Sequence, residues 1–274
     1  MHEWQHLLET LDPIAFSIGF FSVSWYALFF LLGLLAAYWF FASREGEVPE
    51  EHRLDLLVSL FVGAVIGARL GYVLFYGYFE AFLRQPWLII SPYDFEQGVW
   101  TGIAGLSFHG GLIGAVAALF LFTSKKRLAF WIAADQVALA VPIALFFGRL
   151  GNFFNLELYG RITERPWGMI FPGIEPLGGL RYPASLYEAF LEGVCLFLIL
   201  LFLSRKKLFP GAVALIFLIG YAVFRFIGEY FREPDPQIGL LLASLSLGQL
   251  FSLVMLLLGL FLYGWLKNRK SGII

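Results

Sequence analysis

The chain has 274 residues, of which 59% are hydrophobic and 14% charged, with a formal net charge of −1. A soluble domain carries about 25% charged residues, so the composition excludes a water-soluble globular protein, and the near-neutral balance excludes a basic nucleic-acid binder. One cysteine, Cys195 within an apolar run, excludes a disulfide framework or a thiolate metal site.

Seven apolar runs, each about 20 residues and so able to cross the hydrocarbon core as a helix, follow one another along the chain. They are predicted at Phe20 to Phe41, Leu54 to Tyr78, Gly102 to Phe122, Leu128 to Gly148, Ala184 to Leu203, Gly211 to Tyr230 and Leu247 to Leu266. No Lys or Arg precedes the first run, so it lacks the n-region of a cleavable signal and is expected to stay. Eleven basic residues (Arg44, Arg53, Lys125 to Arg127, Arg205 to Lys207, Lys267, Arg269 and Lys270) fall on one side of this arrangement. Six (Arg84, Arg149, Arg161, Arg165, Arg181 and Arg232) fall on the other. Basic loops stay cytoplasmic, so the N-terminus is expected outside and the C-terminus in the cytoplasm. The expected fold is all-α: a polytopic membrane protein with seven transmembrane helices, forming one integral membrane domain over residues 1–274. The segment Arg149 to Pro183 between helices 4 and 5 is expected to form a small external cap. Residues 79–101, interrupted by Pro86 and Pro92, are expected to form a shorter external arm.

Charged groups inside spans are expensive and so mark cavities or partners. Counted inward from the predicted external ends at ~1.5 Å per residue, Tyr26, Arg69, His109, Glu188 and Arg225 lie about 9, 14, 10, 6 and 8 Å deep, with Glu229 almost at the surface. Five helices thus deliver ionisable or phenolic groups to one layer in the outer half of the bilayer. His109 is the one histidine within a span, and an imidazole that is neutral at working pH is a candidate general base. Gly63, Gly67 and Gly71, like Gly110 and Gly114, have the spacing of helix-packing residues. Ser107 is discounted as a nucleophile because it and His109 point to different faces. Asp135, near the cytoplasmic end of its span, is expected to pair structurally with a basic residue.

Residues Gly148 to Gly160 read GRLGNFFNLELYG. This stretch resembles the signature of the bacterial prolipoprotein diacylglyceryl transferases, with Arg149, Asn152, Asn155, Glu157 and Gly160 at matching positions. Further matches follow in chain order: Trp25-Tyr26, Gly67 to Tyr72 around Arg69, Ser107 to Gly111 around His109, Tyr182-Pro183, Leu186 to Ala189 around Glu188, Arg225-Phe226 with Glu229 and Arg232, and Ser246 to Gln249. The resemblance covers Pro13 to about Lys267. Departures include Ala68 and Leu156 where the family favours Gly, Tyr182 where His is frequent, Ser185 for Gln and Leu247 for Met.

The resemblance implies an enzyme of the bacterial cytoplasmic (inner) membrane that moves the diacylglyceryl group of phosphatidylglycerol to the lipobox cysteine of a lipoprotein precursor. A thioether forms and glycerol phosphate leaves. The partners implied are phosphatidylglycerol, the signal-peptide and lipobox region of the precursor, and membrane lipids, with the protein acting as a monomer and needing neither metal nor organic cofactor. Arg149 and Arg225 would hold the phosphate, His109 would take the thiol proton, and Glu229 would pair with Arg225 or take that proton itself. Tyr26, Arg69, Asn152, Asn155, Glu157, Glu188 and Arg232 would bind or orient substrate, and an excess of arginine charge would favour an anionic headgroup over a zwitterionic one. Two rival classes remain, a non-catalytic lipid-binding scaffold and a transporter of an anionic lipid or solute. An ionisable layer away from the midplane and the lack of a visible repeat argue against the transporter.

Overall fold

The computed structural model describes residues 2–19, 21–75, 93–94, 99–100, 107–174, 178–234, 239, 241 and 244–271. Seven helices of 17 residues or more are described, α1 Trp25–Ala42, α2 Glu50–Phe75, α3 Phe108–Lys126, α4 Phe130–Phe154, α5 Ala184–Ser204, α6 Ala212–Gly228 and α7 Leu247–Ser271, after short helical turns at His2–Gln5 and Leu7–Thr10. Helices α1, α2, α4, α5 and α7 are long and apolar enough to cross a membrane, whereas α6 is apolar at 17 residues. Many of their large apolar side chains, among them Leu35, Trp39, Leu74, Ile113 and Phe261, are exposed, which suits lipid as the surrounding medium. The chain divides into two compact units, one of residues 1–44 with 134–274 and one of residues 45–133.

The fold is not purely helical. Three antiparallel strand pairs accompany the helices: β1 Ile14–Ile18 with β2 Phe21–Ser24, β3 Tyr93–Asp94 with β4 Val99–Trp100, and β5 Met169–Ile170 with β6 Leu180–Arg181. Strand β2 occupies the start of the expected first span, which as a helix begins only at Trp25. Ser24 sets that start, because its hydroxyl accepts from Ala27 N at 3.2 Å while the Trp25 indole N–H donates to Asp12 O. The arm expected over residues 79–101 lies outside the described residues apart from β3 and β4, as do Tyr76 to Tyr78 and Gly102 to Leu106 of two expected spans.

In the unit of residues 45–133, α2 and α3 pack through the glycines that the sequence marks. A Cβ on Gly67 would lie 2.7 Å from Gly114 Cα, and one on Gly71 would lie 2.8 Å from Gly110 Cα, so the two backbones meet without intervening side chains. Ser107 caps α3 by accepting from Gly110 N, and its own N–H donates to Ala68 O at 2.9 Å. The described helix therefore starts at Phe108, with His109 in its first turn.

In the larger unit α4 runs through Arg149 to Phe154, so the helix does not end at Gly148 and the connection that follows is shorter than the expected 149–183 cap. Gly151 favours this extension: a Cβ there would lie 3.1 Å from both Tyr26 Cα and Tyr26 Cδ2, so a larger residue would press α4 against α1 at this level. At the end of α4, Phe153 joins Leu8, Met169 and Phe171 in a buried apolar cluster that ties the N-terminal turns to β5. Asp135 finds no basic partner among the described residues and instead accepts from Gly211 N and Ala214 N at 2.7 and 2.8 Å. It caps α6 from the neighbouring helix and fixes α6 against α4.

Candidate active site

Glu188 and Glu192 lie four residues apart on α5 and so share a face. Both are fully buried, and the helix widens into a π turn over Ala189–Cys195 that begins just after Glu188 and carries Glu192. Close packing around this face comes from two glycines. A Cβ on Gly193 would lie 2.6 Å from Phe146 Cβ of α4, and one on Gly228 of α6 would lie 3.2 Å from Glu188 Cγ. Three helices thereby converge on two carboxylates that none of them could bury alone.

Arg149 meets both. Its Nε and Nη2 donate to Glu192 Oε2 at 3.0 and 2.9 Å, and its Nη1 lies 3.1 Å from Glu188 Oε2. Arg225 of α6 donates through Nη1 to Glu188 Oε1 at 2.5 Å and through Nη2 to Glu229 Oε1. The 225–229 pairing expected from one helical turn is thus formed. Arg232 is the loosest member, with Nη1 3.8 Å from Glu188 Oε1. Desolvation first and Arg225 next pull its guanidinium below the ordinary value.

Glu229 is engaged on both oxygens, since Oε2 accepts from Ser246 Oγ at 2.7 Å. Ser246 and Gln249 form a capping box on α7: Gln249 N donates to Ser246 Oγ, and Ser246 N donates to Gln249 Oε1. A Cβ on Gly248 would lie 2.7 Å from Glu229 Oε1, which explains the glycine in the Ser246 to Gln249 stretch.

The expected excess of positive charge is not what this cluster holds. Arg149, Arg225 and Arg232 face Glu188, Glu192 and Glu229, so the described group is formally balanced.

The rest of the GRLGNFFNLELYG stretch builds the rim. Asn152 and Asn155 both donate to the Glu157 carboxylate, the former at 3.1 Å. Ser185 Oγ bonds to Glu157 O and Leu158 O at 3.2 and 3.3 Å, tying this turn to the start of α5. Leu156 and Leu158 adopt φ of +58° and +55°, so the position where the family favours Gly is one that a leucine occupies under strain. Gly160 sits where a Cβ would collide with Tyr182 O and Phe231 O, and its N–H donates to Tyr182 O at 3.0 Å. Next to it Arg161 N donates to Phe231 O and Arg161 Nε to Arg232 O, which hold the Arg232 backbone. Tyr26, beside Gly151, stacks on Phe30 at 6.0 Å.

Of the residues expected from sequence, Tyr26, Arg149, Asn152, Asn155, Glu157, Glu188, Arg225, Glu229 and Arg232 lie in the larger unit. Arg69 and His109 lie in the other, Arg69 with its guanidinium 5.8 Å from the Tyr72 ring centre and His109 half-buried. Two participants were missed. Glu192 is the closest carboxylate to Arg149, and the signal was present: an acidic residue inside an apolar span. Arg181 is buried and donates through Nη1 to both Gly160 O and Glu233 Oε2 at 3.0 Å.

The family model for prolipoprotein diacylglyceryl transferase matches residues 13–265. Full-length relatives carry the name phosphatidylglycerol–prolipoprotein diacylglyceryl transferase. The protein of Wolinella succinogenes is 42% identical over 98% of this chain and 98% of its own length. That of Pseudoalteromonas atlantica is 47% identical over 95% and 91%, and that of Campylobacter jejuni is 41% identical over the whole of both chains. With a family match over most of its length and relatives at this identity, the chain belongs to the prolipoprotein diacylglyceryl transferase family.

Proposed function

We propose that this protein transfers the diacylglyceryl group of phosphatidylglycerol to the cysteine thiol of a prolipoprotein, the two substrates that its relatives' name specifies. The observation that carries the reading is the convergence of Arg149 and Arg225, 76 positions apart in sequence, on Glu188. Guanidinium forks suit phosphate oxygens, and donors held in place stabilise charge that grows on a leaving phosphate. In the step proposed, the thiolate sulfur bonds to the terminal glyceryl carbon, the carbon–oxygen bond to phosphate breaks, and the phosphate oxygen keeps the electron pair. Glycerol phosphate departs.

The thiol, with an ordinary pKa near 8.5, must first lose its proton. His109 is the proposed base, on its residue chemistry and its place in the Ser107 to Gly111 motif. Arg69 and Arg232 are proposed to assist at the phosphate, Glu188 and Glu229 to hold Arg225, and Tyr26, Asn152, Asn155 and Glu157 to shape the rim. The proposed topology is seven spans in the bacterial inner membrane, with the N-terminus and the connection between α4 and α5 outside.

The test is to incubate the purified protein with phosphatidylglycerol and a lipobox peptide and to weigh the peptide by mass spectrometry. The expected product carries one diacylglyceryl group, and a peptide with Ser for the lipobox Cys stays unmodified. An unmodified Cys peptide alongside a folded enzyme would contradict the reading.

A further inference from the structure

Arg149 has five N–H groups in a planar fork, and the way two of them are engaged fixes the plane and direction of the other three. The Nε edge is taken by a single carboxylate oxygen, Glu192 Oε2, which receives both Nε and Nη2. Nη1 lies 3.1 Å from Glu188 Oε2 as an ion pair, without a hydrogen bond. Both N–H groups of Nη1 and one of Nη2 make no hydrogen bond to these two carboxylates. Glu188 cannot fix this geometry by itself, because it is shared with Arg225 and lies within 3.8 Å of Arg232. Glu192, by contrast, gives its hydrogen-bonding oxygen to Arg149 alone among the described residues. Its Oε1 accepts no hydrogen bond there and has Arg225 Nη1 at 3.9 Å.

The surroundings hold Glu192 rigidly. It is fully buried on the π turn of α5. The neighbouring Gly193 lets that turn lie against Phe146, three residues before Arg149 on α4. A buried carboxylate that served only to neutralise charge would gain more by also accepting from Arg225, and one oxygen does not.

We infer that Glu192 is the positioning residue of Arg149: by taking the Nε/Nη2 edge it turns the outer N–H groups of the fork toward the phospholipid phosphate. This rests on the reading of Arg149 as a phosphate ligand. Glu192 touches neither substrate. Its effect is to set an angle, which a neutral amide oxygen can also set because it accepts the same two N–H groups.

The full-length enzyme with phosphatidylglycerol and a lipobox peptide gives the test, and product formation by the wild type establishes the underlying reaction before any variant is compared. Glu192→Ala should raise KM for the phospholipid and lower kcat/KM by roughly 10²-fold, the order expected when a reacting geometry shifts by about 1 Å, with KM for the peptide unchanged. Glu192→Gln should recover most of this. Gly193→Ala, which keeps the charge but pushes the turn off Phe146, should resemble Glu192→Ala even if the latter folds poorly. In an Arg149→Ala background, Glu192→Ala should have no further effect. The proposal is overturned if Gln and Ala at 192 are equally impaired, if both substrates' KM values move together, or if the 149 and 192 losses multiply.

Discussion

Glu192 escapes a motif search because its neighbours, Leu191 and Gly193, read as ordinary span residues, yet it is the carboxylate closest to Arg149. The arginines, the histidine and Glu188 were legible as ionisable groups in apolar runs, and Arg225 with Glu229 as a one-turn pair. Which carboxylate each arginine would meet was not, since that depends on α4, α5 and α6 being close packed through Gly193 and Gly228. Leu156 shows the opposite case, a departure noted in sequence whose meaning needs the backbone. Its left-handed φ costs about 1–2 kcal/mol, and its half-buried side chain packs on the Leu8 and Phe153 cluster. Removing that contact loses about 1–2 kcal/mol, so Leu156→Gly should leave stability in detergent within about 1 kcal/mol of wild type. Phe153→Ala in the same cluster should cost about 3–5 kcal/mol. Thermal unfolding of the two variants checks this, and equal losses would mean that the strain at 156 is negligible.

The glycines of α2 and α3 were correctly read as an interface because small residues four apart have one physical use in a lipid-facing helix. Helix ends were less legible. Gly148 and Arg149 look like the start of a loop, but the arginine is paired in trans and Gly151 makes room for α1, so α4 continues to Phe154. Asp135 was read as structural, and it is, though its partners are backbone N–H groups that a residue-type search cannot see. At this scale the prediction concerns Gly114. A leucine there would drive its Cβ into Gly63 O and within 2.8 Å of Gly67 Cα. Gly114→Leu should lower stability by about 1–3 kcal/mol or more, whereas Ala117→Leu, on the exposed face of the same helix, should be close to neutral. Unfolding curves that coincide for the two would contradict the close packing of α2 on α3.

For the whole molecule, composition alone placed the chain in a membrane, and five helices have the length and apolarity to cross one. Orientation came from the basic residues, a property of insertion that side-chain geometry does not record. Single cysteines at Lys126 and Gly173 in a Cys195→Ser background should react with an impermeant thiol reagent from opposite sides of sealed cells, Gly173 from outside. Labelling of both from outside would overturn the orientation. The central claim is that the arginines gathered around Glu188 do the chemistry of the departing phosphate, and Arg225 tests it most directly. Turnover of phosphatidylglycerol by Arg225→Ala, measured per mole of folded, monodisperse protein, should fall by about 10²- to 10³-fold, the usual loss for a donor to developing charge. Turnover near that of the wild type would contradict the account.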